Sequence, residues 1–128
     1  MPEAINSCTF TGNVVRDAEL VRSNGGTAIL KFSLAVPGSR RDPATGAWAD
    51  WPNFLDMKLF GPRAEALAGR LSRGQRIAVR CEARYARWED KATGSNRSRI
   101  EFDVKDLVFL GRREAPAEPE MADHDISF

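Results

Sequence analysis

Histidine and cysteine are scarce in this chain of 128 residues, which has one histidine and two cysteines. The histidine, His124, lies among the last five residues, so the rest of the chain cannot form a Ser/His/Asp or Cys/His nucleophile set. We therefore expect no enzyme, no catalytic residue, no metal site and no cofactor. Cys8 and Cys81 fall on apolar faces of predicted strands, which indicates buried thiols in a reducing compartment.

Long apolar runs are also missing. No segment approaches the ~20 apolar residues that a membrane-spanning helix needs. The first residues, Met1 to Asn6, lack the basic and then apolar order of a signal peptide. We expect a cytoplasmic protein that does not contact a membrane.

Charge is distributed unevenly along the chain, although the net charge is only +1. Residues 1–113 hold all 19 basic residues and 13 acids, a balance of +6, whereas residues 114–128 hold five acids and no base, a balance of −5. A basic body indicates a polyanionic partner, and the acidic tail can compete with that partner for the same basic surface; the alternative is two unrelated solvated surfaces. Because residues 114–128 are too polar to bury a core, we predict a folded domain over 1–113 and a disordered tail over 114–128.

Alternation of apolar and polar residues predicts an all-β fold. Five strands are expected, over residues 7–14, 29–36, 54–60, 76–88 and about 99–110. Alternation places Tyr85 on the inner face of the fourth strand, and Ile100, Phe102 and Val104 on that of the fifth.

One helix is predicted between strands three and four. Pro62 fits its first turn, apolar residues recur with helical spacing from Ala64 to Leu71, and Gly74 can end it in the left-handed conformation. Three strands, one helix and two strands are the order of an OB fold, a five-stranded, partly open Greek-key barrel.

Two long connections, residues 39–52 and 89–97, are predicted to be projecting hairpins with Pro-Ala-Thr-Gly and Ala-Thr-Gly-Ser at their tips. A binder of single-stranded nucleic acid needs cations along the phosphates and flat apolar faces between them. The outward strand faces and the first hairpin supply both. The predicted nucleic-acid-binding residues are Arg40, Arg41, Trp48, Trp51, Phe54, Lys58, Phe60, Arg80, Arg84 and Trp88.

Most of these residues also have a plainer interpretation. Phe54 and Phe60 are also suited to an oligomer interface, and Trp48 and Trp51 to pinning their own hairpin. The cations Lys58, Arg80 and Arg84 are also explained as ordinary solvated charges.

Several segments together resemble the bacterial single-stranded DNA-binding proteins, which coat exposed DNA during replication. They are Gly12 to Glu19, Arg41 to Gly46, Leu59 to Gly61, Arg84 to Trp88 and the terminal Asp123 to Phe128. The sequence departs from the pattern at Ala18, where the family has proline, and at Arg40, where tryptophan is common.

The resemblance implies a homotetramer, associated with the nucleoid, that binds single-stranded DNA without strong sequence preference through Phe54, Phe60 and Trp88. It also implies roles in DNA replication, repair and recombination. With Arg40 at the fourth stacking position, we hypothesise that Trp48 or Trp51 supplies the missing platform.

The resemblance further implies that the C-terminal tip docks on replication, repair and recombination enzymes. The expected docking residues are Asp123, Asp125, Ile126 and Phe128. His124 replaces an acid and Ser127 a proline of the family's tip, so we expect docking at reduced affinity. The competing function is a primosome-type OB-fold adaptor that works mainly through protein contacts.

Overall fold

The structure is a computed structural model that describes residues 3–111. Its elements in chain order are β1 (Cys8–Val14), β2 (Glu19–Arg22), β3 (Ala28–Val36), β4 (Ser39–Arg41), β5 (Trp48–Asp50), β6 (Asn53–Phe60), α1 (Pro62–Leu67), β7 (Arg76–Glu89) and β8 (Asn96–Phe109). The five predicted strands correspond to β1, β3, β6, β7 and β8. The predicted boundary at residue 113 and the predicted docking residues Asp123, Asp125, Ile126 and Phe128 lie outside the described residues.

The five long strands close into a barrel in the order β1, β7, β8, β6 and β3, with β3 pairing back to β1. Closure on one side is a short antiparallel contact, in which Asn13 lies opposite Ala35, and on the other a short parallel contact between Met57 and Phe102. A side chain at Gly12 would collide with the carbonyl oxygen of Ala35, so a glycine lets β1 approach β3. The predicted OB fold, with its helix between the third and fourth barrel strands, is confirmed.

The barrel interior contains the apolar residues that alternation placed there. Leu30, Leu34, Met57, Leu59 and Ile77 are each at most 1% exposed. This burial is the main stabilising term of the fold, at about 1.5–3 kcal/mol for each fully buried large side chain.

The two thiols lie opposite each other on β1 and β7. Cys81 is buried and Cys8 half-buried, and neither forms a disulfide. Burial, with Cys8 nearby, raises the pKa of Cys81 from 9.0 to about 11. The Cys81 thiol is therefore protonated at neutral pH, as expected of a core residue.

The helix is shorter than its periodicity predicted. It ends at Leu67, and Gly69 follows where the pattern continued. Glycine costs roughly 1 kcal/mol relative to alanine within a helix, so the chain turns there instead. Leu71 is nevertheless buried, and Gly74 adopts a φ of 87° in the next turn, where its amide bonds Val14 O at 2.9 Å.

A bulge in β8 resets the faces of that strand. Arg80 pairs with Asp106, but the next residue, Cys81, pairs with Val104, which leaves Lys105 as an extra residue. Leu107 and Val104 consequently both face the core despite their odd spacing.

Tyr85 and Ile100 were wrongly predicted to lie inside, because they are 59% and 52% exposed. They lie opposite each other on β7 and β8, which are 14 residues each and extend past the barrel. At about 3.3 Å per residue, strands of this length extend beyond the apolar core of the barrel. Alternation assigned both residues to the correct face of the sheet, but beyond the end of the barrel that face is exposed to solvent. Phe102 and Val104 pack as predicted.

Two fingers project from the barrel. The first finger is residues 39–51, a two-stranded sheet of β4 and β5. The second finger is residues 84–101, the outer halves of β7 and β8 with their turn. Both were predicted as hairpins and both are. None of the helical segments within residues 3–111 is long and apolar enough to cross a membrane.

Candidate nucleic-acid interface

The outward sides of β6, β7 and β8 form one continuous surface, which we call the groove face. Lys58 on β6 lies beside Asp103 on β8, and Arg84 on β7 lies opposite Glu101 on β8. The structure thereby brings together four of the sequence-predicted residues, namely Lys58, Phe60, Arg84 and Trp88. Arg80 lies farther along β7 and pairs with Asp106 at 2.6 Å.

At the centre of the groove face is a buried carboxylate that the sequence analysis did not single out. Glu101 is 2% exposed. Its oxygens lie 3.0 Å from Lys58 Nζ, 2.8 Å from an Arg99 Nη and 3.5 Å from an Arg84 Nη. Removing a carboxylate from water costs several kcal/mol unless partners compensate, and here three cations do so.

The three cations also affect the titration of this carboxylate. Burial by itself would raise the pKa of Glu101, but the hydrogen bonds from Lys58 and Arg99 outweigh it. The pKa is therefore held below its ordinary value of 4.5, and Glu101 is ionised at neutral pH.

Further acids surround the cluster. Arg84 also pairs with Asp103 at 3.1 Å, and Arg99 lies 3.8 Å from Asp56. The cations of the groove face are therefore neutralised by neighbouring carboxylates.

Two of the arginines cover aromatic rings. The Arg84 guanidinium carbon lies 5.5 Å from the centroid of the Phe60 ring, and that of Arg99 lies 5.2 Å from the centroid of Trp88. The two rings are 40% and 43% exposed. Both distances are within the range of cation–π attraction.

In the first finger, the arginines lie beside tryptophan rings and not in the ion-pair cluster of the groove face. Arg41 lies opposite Trp48, and Arg40 lies over the Trp51 ring at 4.9 Å. Trp48 is 69% exposed, the most exposed tryptophan in the chain, and Trp51 is 47% exposed. Phe54 lies just after this finger, half-buried on β6.

The tips of the two fingers have the same construction. In the first, the side chain of Asp42 accepts a bond from Ala44 N at 2.9 Å; in the second, that of Asp90 accepts one from Ala92 N at 3.0 Å. A glycine with φ near 74° closes each turn, Gly46 in one and Gly94 in the other. The repeated Asp-x-Ala-Thr-Gly sequence therefore encodes one turn used twice.

Beside the cluster the surface forms a depression that adds two more cations, Arg16 and Lys31. Sequence reasoning missed these, together with Glu101 and Arg99. The available signal was that Arg97, Arg99 and Glu101 alternate on the outward side of one strand. Within residues 3–111, no group of three or more His, Cys, Asp or Glu side chains is placed to hold a metal ion.

Comparisons with known proteins agree with this architecture. The profile of the Single-strand binding protein family matches residues 5–110. A single-stranded DNA-binding protein of Borreliella burgdorferi is 36% identical over 96% of the chain and 80% of its own length. One of Treponema pallidum is 34% identical over 84% of the chain, and the match spans 58% of that longer protein.

Solved structures support the fold. A Plasmodium falciparum SSB in complex with ssDNA superimposes with a TM-score of 0.75 at 21% identity, over 87% of this chain and 99% of that one. A deletion mutant of the single-stranded DNA binding protein from Thermus aquaticus gives 0.71 at 26% identity, over 85% of this chain and 52% of that one.

Proposed function

The chain belongs to the single-strand binding protein family, and we propose that it binds single-stranded DNA with little dependence on base sequence. The observation that carries the proposal is the groove face, where Phe60 and Trp88 lie among Lys58, Arg84 and Arg99. Aromatic rings stack on any base, at about 1–3 kcal/mol each, and cations track the phosphates.

The first finger extends this surface. Arg40 and Arg41 have no carboxylate partner among residues 3–111, so both are available to phosphates. Trp51 lies beneath Arg40, whereas Trp48 is largely exposed. Trp48 therefore supplies the fourth stacking platform, in place of the tryptophan that the family commonly has where this chain has Arg40. Phe54 and Arg80 complete the proposed interface.

A titration with oligo-dT, oligo-rU and duplex DNA over a range of salt tests this function. We expect single strands to bind more tightly than duplex, and log K to fall with log salt by about 0.7 for each phosphate contact. Equal affinity for duplex DNA would overturn the proposal, and weak binding to all three nucleic acids would favour the adaptor function.

Fluorescence of a Trp88→Phe variant tests the Trp48 platform. Its remaining tryptophans both lie in the first finger. We expect quenching on addition of oligo-dT, and a Trp48→Phe, Trp88→Phe double variant should lose most of it. Persistence of the full quenching in the double variant would assign the platform to Trp51.

We also propose that the protein acts in replication, repair and recombination as a cytoplasmic, nucleoid-associated homotetramer. Its tip, with Asp123, Asp125, Ile126 and Phe128, recruits partner enzymes, as the acidic and apolar residues of the sequence support. Removing residues 120–128 should leave DNA binding intact or tighter and abolish recruitment. Light scattering on the full chain tests the tetramer.

A further inference from the structure

The groove face contains a feature that DNA binding alone does not explain. A surface that attracts phosphates gains from uncompensated cations, yet Glu101 is buried among three of them. This carboxylate reduces the positive potential at the place where a phosphate would approach.

The same carboxylate fixes where the arginines lie. Arg99 is held by two contacts to Glu101, with its Nε at 2.9 Å and an Nη at 2.8 Å. In that position its guanidinium lies over Trp88. Arg84, held by Glu101 and Asp103 together, lies over Phe60 in the same way.

A base cannot stack on a ring face that a guanidinium already covers. Each ring belongs to a strand and is only about two-fifths exposed, so an alternative open face is limited. Stacking therefore requires the arginines to leave the rings, and a nearby phosphate offers them a replacement anion.

We propose that Glu101 is a positioning residue that holds Arg84 and Arg99 over the stacking rings in the free protein. Binding of a single strand exchanges this carboxylate for DNA phosphates as the partner of both arginines and uncovers Phe60 and Trp88. The inference rests on the proposed function and adds a state in which the site is covered. Lys58, whose carboxylate partner within residues 3–111 is Glu101, is released in the same exchange.

The test compares Glu101→Gln with Glu65→Gln. Both substitutions remove one negative charge in the same chemical way, but Glu65 lies on α1 and pairs with Arg22, away from the groove face. We expect Glu101→Gln to tighten oligo-dT binding about tenfold, because apparent affinity scales with the fraction of molecules whose site is open. The salt slope should steepen by about 0.7 for each released cation. An equal gain in both variants would reduce the effect to net charge, and weaker binding by Glu101→Gln would show that the carboxylate orients the arginines productively; either result overturns the proposal.

A second readout needs no DNA and follows Trp88 directly. In a background with Trp48→Phe and Trp51→Phe, Trp88 is the remaining tryptophan. Acrylamide should quench Trp88 more strongly after Glu101→Gln than in this background, whereas Glu65→Gln should leave the quenching of Trp88 unchanged. Unchanged quenching in the first variant would contradict the covered ring. Because this readout uses no DNA, it tests the inference separately from the proposed function. The proposed function fails instead if the wild-type chain shows no preference for single strands.

Circular dichroism establishes whether Glu101→Gln folds. If it does not, Glu101→Asp keeps the charge but withdraws it by one methylene group. We then expect smaller changes in the same direction, in both affinity and quenching. Unchanged or weaker binding by Glu101→Asp would also overturn the proposal.

Discussion

The first and second fingers share a turn sequence and a tip geometry, and each carries basic residues, but their cations are held in different ways. In the first finger, Arg40 rests on a tryptophan, and no carboxylate among residues 3–111 pairs with it. In the second, Arg97 pairs with Asp90 at 3.2 Å, and Arg99 pairs with Glu101. Counting basic residues therefore overstates the positive charge that the second finger presents in the free protein, whereas for Arg40 and Arg41 in the first finger the count holds.

The comparison predicts that stacking on Trp88 is a large part of what the second finger contributes. Trp88→Ala should weaken oligo-dT binding by about 1–3 kcal/mol, or roughly 5- to 150-fold in Kd. Fluorescence anisotropy of a labelled oligonucleotide measures this. Tyr85→Ala is the matched control, because Tyr85 is exposed on the opposite face of the same strand. An equally large loss of affinity for Tyr85→Ala would place the DNA on the Tyr85 side of β7 and contradict the proposed interface.

The buried carboxylate should make the second finger sensitive to acid. At pH 7, Glu101→Gln should lower the free energy of unfolding by about 2 kcal/mol, since charged hydrogen bonds are lost. Because the folded-state pKa of Glu101 is below 4.5, its stabilisation is fully present above that pH and is lost as pH falls through the lower, folded-state value. Urea titrations at several pH values should show the two proteins converging in acid. A difference that grows as pH falls would contradict the assignment.

Salt dependence distinguishes the two kinds of arginine. Arg41→Ala should reduce the salt slope of binding by about 0.7, because a free cation is lost. Arg97→Ala should reduce it by less, since Asp90 already neutralises that charge. Equal reductions would show that the Arg97–Asp90 pair opens in the complex, as we propose for the pairs with Glu101, and would restrict the distinction between the fingers to the free protein.

The smallest expected effect concerns the tips. Asp42→Ala and Asp90→Ala each remove one Asx bond, worth about 0.5–1.5 kcal/mol of local stability. Asp90→Ala also removes the ion pair to Arg97, which adds at most about 1 kcal/mol. Hydrogen exchange at Gly46 and Gly94 measures both openings. A larger effect at Asp42 would show that the tips are not equivalent.

Alternation in the sequence was enough to predict the barrel, because a strand with one buried face must repeat every two residues. It could not predict how far a strand extends beyond the core, and this is why Tyr85 and Ile100 were misplaced. The helical spacing also continued to Leu71, but a turn at residues 68–70, which contains Gly69, brings Leu71 into the core instead. At the site, the aromatics and cations were predicted from their side of each strand. Glu101 was missed because its burial depends on cations from three different strands, and such a contact has no signature within one segment.

The extra residue Lys105 has a consequence for how this surface tolerates change in length. Glu101 and Asp103 face outward only because one residue is inserted between them and the end of β8. Deleting it while β7 and the C-terminal end of β8 stay fixed would exchange the two sides of the preceding segment and present Phe102 and Val104 to solvent. A substitution in this segment changes one side chain of the groove face. A single insertion or deletion would instead replace the ionic surface of the whole segment by an apolar one. The residue that keeps this face ionic is therefore Lys105, the extra residue of the bulge, whose own ammonium lies 4.0 Å from Glu82.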